Sequence, residues 1–278
     1  MNRKAGIWIA LLLVANLSFG QYTRYIIKFR NKASNPFSLS NPGAYLSQRA
    51  IDRRIRYSIP FDSTDLPVTP NYIDSIRNSG AVTVLNISRW LNSVTIKTTD
   101  ASALAKIKSF PFVLSSDSIA ARMVSFSSAD KLGSIHSNSS EDKIEGADSY
   151  FNYGQSFDQV HIHNGEFLHD IGLRGQSMII GMLDAGYQNY TSLHAFDSTI
   201  ANGQVLGVYD FVDHDNSVVE DNAHGMECFS IIASDIPGQF IGTAPKADFY
   251  LFRTEDVNSE YPIEEHNWVC GAERIDSA

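Results

Sequence analysis

Residues 178–186 read Met178-Ile179-Ile180-Gly181-Met182-Leu183-Asp184-Ala185-Gly186. A run of six residues without a polar side chain does not alternate. It therefore predicts a strand buried on both faces of a parallel sheet, not a strand with one wet face. A carboxylate and two small residues follow at once, at the carboxyl end of that strand, where open α/β sheets place ligands and catalytic groups. Standing alone, Asp184 is better read as a loop cap.

Downstream, Val205 to Tyr209 and Phe249 to Phe252 predict two more strands, and Asn222-Ala223-His224-Gly225-Met226-Glu227-Cys228 opens a helix that continues through Ile232. A histidine in the first turn of a helix lies at the positive end of the dipole. The dipole disfavours its protonated form and keeps it available as a base. Gly242-Thr243-Ala244-Pro245 precedes the third strand. Tyr261-Pro262 starts a last helix, with Glu264 and Glu265 in its first turn, running to Ala278 with no glycine or proline stop at its end.

Upstream, residues 21–122 have a different style. The alternating Tyr25-Ile-Ile-Lys-Phe-Arg predicts a strand, and Ala44 to Ile55 a helix carrying Arg49, Arg53 and Arg54. Thr69-Pro70 opens a second helix that Gly80 stops. Strands follow at Val82 to Ile87 and Val94 to Thr98, then a helix from Ala101 to Lys108 capped by Asp100, and a short strand at Phe112 to Leu114. This order, β-α-β-β-α-β with one extra helix, predicts a ferredoxin-like α+β sandwich. Residues 123–150 are serine-rich and read as a linker, and residues 151–278 as the α/β unit. The sequons at Asn86, Asn138 and Asn189 read as chance.

Residues 1–20 combine Arg3 and Lys4, an apolar run from Ala5 to Ala15 and a small-residue end at Ser18-Phe19-Gly20, the pattern of a secretory signal peptide. The expected location is extracellular or periplasmic. The run is too short to span a bilayer comfortably. Two cysteines in 278 residues exclude a disulfide framework, and Cys228 and Cys270 read as free thiols in helices. The net charge of −9 is unevenly spread: residues 21–122 carry net +8 and residues 123–278 net −19, which predicts that the two parts attract. The basic helix at Arg49 to Arg56 lacks the interleaved aromatics that stack on bases. Nucleic acid is therefore not an expected partner.

Taken together, the strand ending in Asp184-Ala185-Gly186, the His224-Gly225 helix start and the Gly242-Thr243-Ala244-Pro245 segment resemble the subtilisin-like serine endopeptidases, whose triad runs Asp, His, Ser along the chain. The resemblance covers about residues 150–278, and the upstream sandwich resembles the propeptide of that family. It implies a secreted zymogen that hydrolyses peptide bonds in a protein substrate. Asp184 would orient His224, and an intramolecular contact would join propeptide and catalytic domain. No organic cofactor is implied. The family's Gly-Thr-Ser nucleophile motif and the oxyanion asparagine before it do not occur here. With the unstopped last helix, this reads as a chain cut in mid-helix, with both parts beyond residue 278.

Other candidates are weaker. Ser230 reads as a packing hydroxyl on the His224 helix. His161 and His163 flank Ile162 in the manner of two imidazoles on a metal, but an exposed strand start is the better account. Asp210, Asp213, Asp215, Glu220 and Asp221 crowd the approach to His224, where structural calcium would find oxygen ligands; the spacing fits no loop motif, and a solvated acidic face or a cation-selecting rim is the better account. The alternatives to a peptidase are an exported binding protein that keeps the fold without catalysis, and an unrelated exported α/β module holding a small ligand below Asp184.

Overall fold

The computed structural model describes residues 23–119, 149–219, 222–257 and 262–278. The signal sequence, nearly all of the serine-rich segment, Asn138, Glu220, Asp221 and Ser259 lie outside the described residues.

The first unit is a four-stranded antiparallel sheet. Its strands β1 (Arg24–Phe29), β2 (Thr83–Ser88), β3 (Ser93–Lys97) and β4 (Val113–Ile119) lie in the order β2-β3-β1-β4. Helices α1 (Gln48–Arg56), α2 (Pro70–Arg77) and α3 (Ala101–Ser109) complete it. Alternation puts Ile27, Phe29, Val94 and Ile96 on one face, where they bury against Ile73 and Ile76 of α2 and Ile107 of α3. Asp100 caps α3 as its position predicts, accepting from the amides of Ser102 and Ala103 at 2.9 and 3.0 Å.

Two boundaries differ from expectation. The helix expected from Ala44 begins at Gln48, because Ser47 Oγ accepts from Ala50 N at 3.0 Å and fixes the start there. β4 is seven residues long, not a short strand. It pairs along the whole of β1, from Val113 opposite Phe29 to Ile119 opposite Arg24, and its middle, Ser115 to Ser118, is too polar to announce itself.

The second unit holds a parallel sheet of β5 (Ile179–Asp184), β6 (Val205–Asp210) and β9 (Asp248–Arg253), in the order β5-β9-β6. A small hairpin of β7 (Asp235–Ile236) and β8 (Phe240–Ile241) stands beside it. Short helices α4 (Phe157–His161), α5 (Gly165–Asp170) and α6 (Asp197–Ala201) precede α7 (His224–Ala233) and α8 (Ile263–Ser277). The period-2 alternation of β5 sorts its side chains between two helices. Ile180 and Met182 pack into a cluster with Phe229 of α7, Phe249 and Leu251. Gly181 and Leu183 face Ile275 and Gly271 of α8.

β5 thus has a helix on each face, as its apolar run predicts, yet all six residues are only half-buried. The reason is its position: among the described residues it pairs with β9 alone. His161 and His163 also depart from expectation, since α4 ends at His161 and no strand starts there. Asn164 stands at the start of α5 with φ 54° and makes no side-chain cap.

The two units meet through polar groups. On β2 and β3 the residues opposite the apolar core face, Asn86, Ser88, Ser93 and Thr95, are all buried. The reason is α8. Asn86 Nδ2 donates to Asn267 Oδ1 at 2.7 Å, Ser88 Oγ to Glu273 Oε1 at 2.5 Å, and Ser93 Oγ lies 3.0 Å from His266 Nε2. Asn86, so buried, is closed to glycosylation in this arrangement.

At the end of α8, Asp276 receives three guanidinium groups: Arg53 at 2.5 Å, Arg54 at 2.6 Å and Arg89 at 2.8 Å. The basic first part of the sequence therefore does face the acidic second part, through a few convergent side chains. Among the described residues no helix is long and apolar enough to cross a membrane.

Candidate active site

Asp184 is the last residue of β5, and its even position puts it on the same face as Ile180 and Met182, toward α7. Its backbone carbonyl accepts from Thr254 N at 2.9 Å, which continues the β5-β9 pairing to the sheet's carboxyl edge. One carboxylate oxygen accepts from Ala185 N at 2.7 Å. His224 is the first residue of α7, and Asn222 Oδ1 accepts its backbone N–H at 2.7 Å, satisfying one of the helix's open donors.

These two elements bring the side chains together. His224 Nδ1 lies 2.9 Å from Asp184 Oδ1 and 3.0 Å from Oδ2. A carboxylate only accepts, so Nδ1 carries the hydrogen and the Nε2 lone pair is left for chemistry. Asp184 is 13% exposed and His224 45%, so the pair has one sheltered member and one accessible to a ligand.

Gly225 explains why the approach is possible. A Cβ there would stand 2.6 Å from Gly186 O and 2.8 Å from Asp184 Cβ, so any larger residue pushes α7 off the end of β5. Tyr187 is fully buried nearby, and burial, reinforced by the charge of Asp184, pushes its phenol well above the usual range.

Among the described residues the group facing Nε2 is Cys228 Sγ, at 3.8 Å. Hydropathy alone marks Cys228 as a packing thiol. Its i, i+4 spacing from His224, which puts both on one side of a helix, is the signal in the sequence that points to their meeting. Burial pushes the Cys228 thiol up, with Asp184 and Glu227 adding to the effect.

The remaining candidates fall elsewhere. Ser230 Oγ donates to Glu227 O, within its own helix, at 2.7 Å. His161 contacts Glu166 and stacks on Phe157. Asp210 is not on a solvated face: it is 2% exposed and pairs with buried Arg253 at 2.7 Å, which also holds Asp213 at 2.7 Å. The guanidinium lies between these two carboxylates. Both cysteines are free, Cys270 buried and Cys228 half-buried.

Residues 24–137 match the family model described as the peptidase S8 propeptide domain of Bacteroidota. The match supports a subtilase precursor. It spans all four strands of the first sheet and continues to residue 137. The matched segment touches α8 of the second unit through Ser88 and Glu273. No curated protein matches the chain.

Proposed function

We propose that this chain belongs to the precursor of an exported subtilisin-like serine endopeptidase. In this reading residues 1–20 are a signal peptide, 21–122 a ferredoxin-like propeptide domain, 123–150 a linker, and 151–278 a subtilisin-like catalytic region. Asp184 and His224 are two members of an Asp-His-Ser triad.

The observation that carries the reading is the bond from His224 Nδ1 to the Asp184 carboxylate at 2.9 Å, made between the end of a parallel strand and the start of a helix. With Nδ1–H held, His224 Nε2 takes the proton from a serine hydroxyl as that oxygen attacks a peptide carbonyl. It then returns the proton to the leaving amine, and Asp184 stabilises the imidazolium formed between the two steps. This mechanism also calls for a serine nucleophile and an oxyanion donor, and no Gly-Thr-Ser segment of the kind that carries them in the family occurs in residues 1–278. The sheet order β2-β3-β1-β4 with α2 and α3 on one face supports the ferredoxin-like assignment.

The test is the product of the whole gene, probed with a fluorophosphonate and with a peptide library. His224→Ala should abolish turnover and self-processing, a loss on the order of 10⁶-fold, the size seen when subtilisin loses its triad histidine. His161→Ala and His163→Ala should leave both unchanged. Wild-type peptidase rates in His224→Ala would overturn the assignment. A folded whole-gene product that no probe labels would favour the non-catalytic binding protein instead.

A further inference from the structure

Two histidine-cysteine pairs stand at i, i+4 spacing on helices of the second unit: His224 with Cys228 on α7, and His266 with Cys270 on α8. The second is closed. His266 is 2% exposed, its Nδ1 lies 3.5 Å from Cys270 Sγ and its Nε2 3.0 Å from Ser93 Oγ, so both ring nitrogens are engaged.

The first pair is open. His224 Nδ1 is held by Asp184, its Nε2 lies 3.8 Å from Cys228 Sγ, and both side chains reach the surface. Among the described residues, Asp184, His224 and Cys228 are the group of metal-ligating atoms gathered within 4.8 Å of one another.

We propose that Cys228 Sγ and His224 Nε2 form a site for one borderline-soft divalent cation of the zinc class, with water in the remaining positions. Bonds of about 2.3 Å to sulfur and about 2.0–2.1 Å to nitrogen span a 3.8 Å separation at an S–metal–N angle of about 120°, close to tetrahedral. Asp184, behind the imidazole, occupies the place of the carboxylate that fixes the tautomer of metal-binding histidines and raises their basicity. Binding displaces the thiol proton to solvent, and a thiolate-metal bond replaces the S–H bond. The net charge of −19 on residues 123–278 favours a cation near this site.

One consequence rests on the proposed function: the cation occupies the lone pair that His224 would use as base, so it would act as a reversible inhibitor. The site itself stands on geometry alone and is tested without activity. Cobalt(II), added to the reduced protein, should give the sulfur-to-cobalt charge-transfer absorption of a thiolate complex at one equivalent. The band should be displaced by zinc, retained in Cys270→Ser and lost in Cys228→Ser and His224→Asn, with folding checked by circular dichroism.

In the unaltered protein, stoichiometric zinc should protect Cys228 from N-ethylmaleimide, read by mass spectrometry of the digested chain. Absence of the band, or alkylation of Cys228 at the same rate with and without zinc, would overturn the site whatever the fate of the peptidase reading. A folded His224→Ala enzyme that retained activity would count against that reading and leave the zinc experiment to decide the site.

Discussion

Glu273, on α8, accepts a hydrogen bond from Ser88, on β2, at 2.5 Å, although 185 residues separate them in sequence. The same carboxylate accepts from the backbone amides of Arg89 at 2.8 Å and Trp90 at 3.1 Å. One side chain of the second unit thus serves three donors at the turn leaving β2.

Removing that carboxylate should therefore cost more than one hydrogen bond, because buried donors are left without an acceptor. Glu273→Ala is expected to weaken the contact between units by about 2–5 kcal/mol, the range for a buried charged partner. Urea denaturation followed by fluorescence should show the transition of the first unit moving to lower urea. A midpoint unchanged from wild type would contradict the role assigned to Glu273.

His266 makes the same contact sensitive to acid. Burial between Ser93 and Cys270 pushes its pKa down to about 4, from 6.5. The folded state thus holds the proton less tightly than the unfolded chain. The stability this provides is fully present above pH 6.5 and is lost as pH falls from there toward 4, on the order of 3 kcal/mol. Glu273 works in the opposite sense, since burial raises its pKa and the folded state takes up its proton more readily. His266→Gln should flatten the fall in stability between pH 6.5 and 4 in urea titrations; an unchanged slope would show that other groups carry it.

Gly225→Ala tests the geometry of the site. Its new methyl would meet Gly186 O and Asp184 Cβ, and overpacking of this kind costs about 1–3 kcal/mol. The expected sign is a longer His224-to-Asp184 bond, seen as loss of the far-downfield Nδ1 proton resonance that the wild-type protein should show. A resonance of unchanged position would mean that α7 absorbs the methyl elsewhere.

Arg53 and Arg54 are neighbours with the same partner, yet they should behave differently. Arg54 is 7% exposed and also holds buried Asp65 at 2.7 Å, whereas Arg53 is 38% exposed. Arg54→Met strands a buried carboxylate and should cost about 3–5 kcal/mol. Arg53→Ala should cost about 0–1 kcal/mol, as exposed pairs do. Equal losses in thermal denaturation would refute the distinction.

The apolar skeleton is legible in the sequence: the run at Met178 to Leu183, the alternation at Ile27 and Phe29, and the cap at Asp100 all mark real elements. The meeting of Asp184 with His224 is legible only through the family resemblance, since neither residue alone announces a partner 40 residues away. What escapes is polar burial. Asp210 reads as part of a solvated face, and nothing in the sequence marks Asn86, Ser88 or Ser93 as buried, since hydropathy patterns mark what water rejects and say nothing of where a partner's hydrogen bonds replace water. The thiol of Cys228 escapes for a related reason: its packing value is plain from the helix it sits in, while its chemistry depends on the residue one helical turn before it.

The face that the first sheet turns toward α8 is made of hydroxyls and amides, whereas permanent interfaces resemble an apolar core cut in half. Water can take over each of those hydrogen bonds when the partner is gone. Parting the two units would thus wet a sheet face already suited to water, and the first unit would not be driven to aggregate by those hydroxyls and amides. Such a contact can be tight while it lasts and still be left behind cleanly.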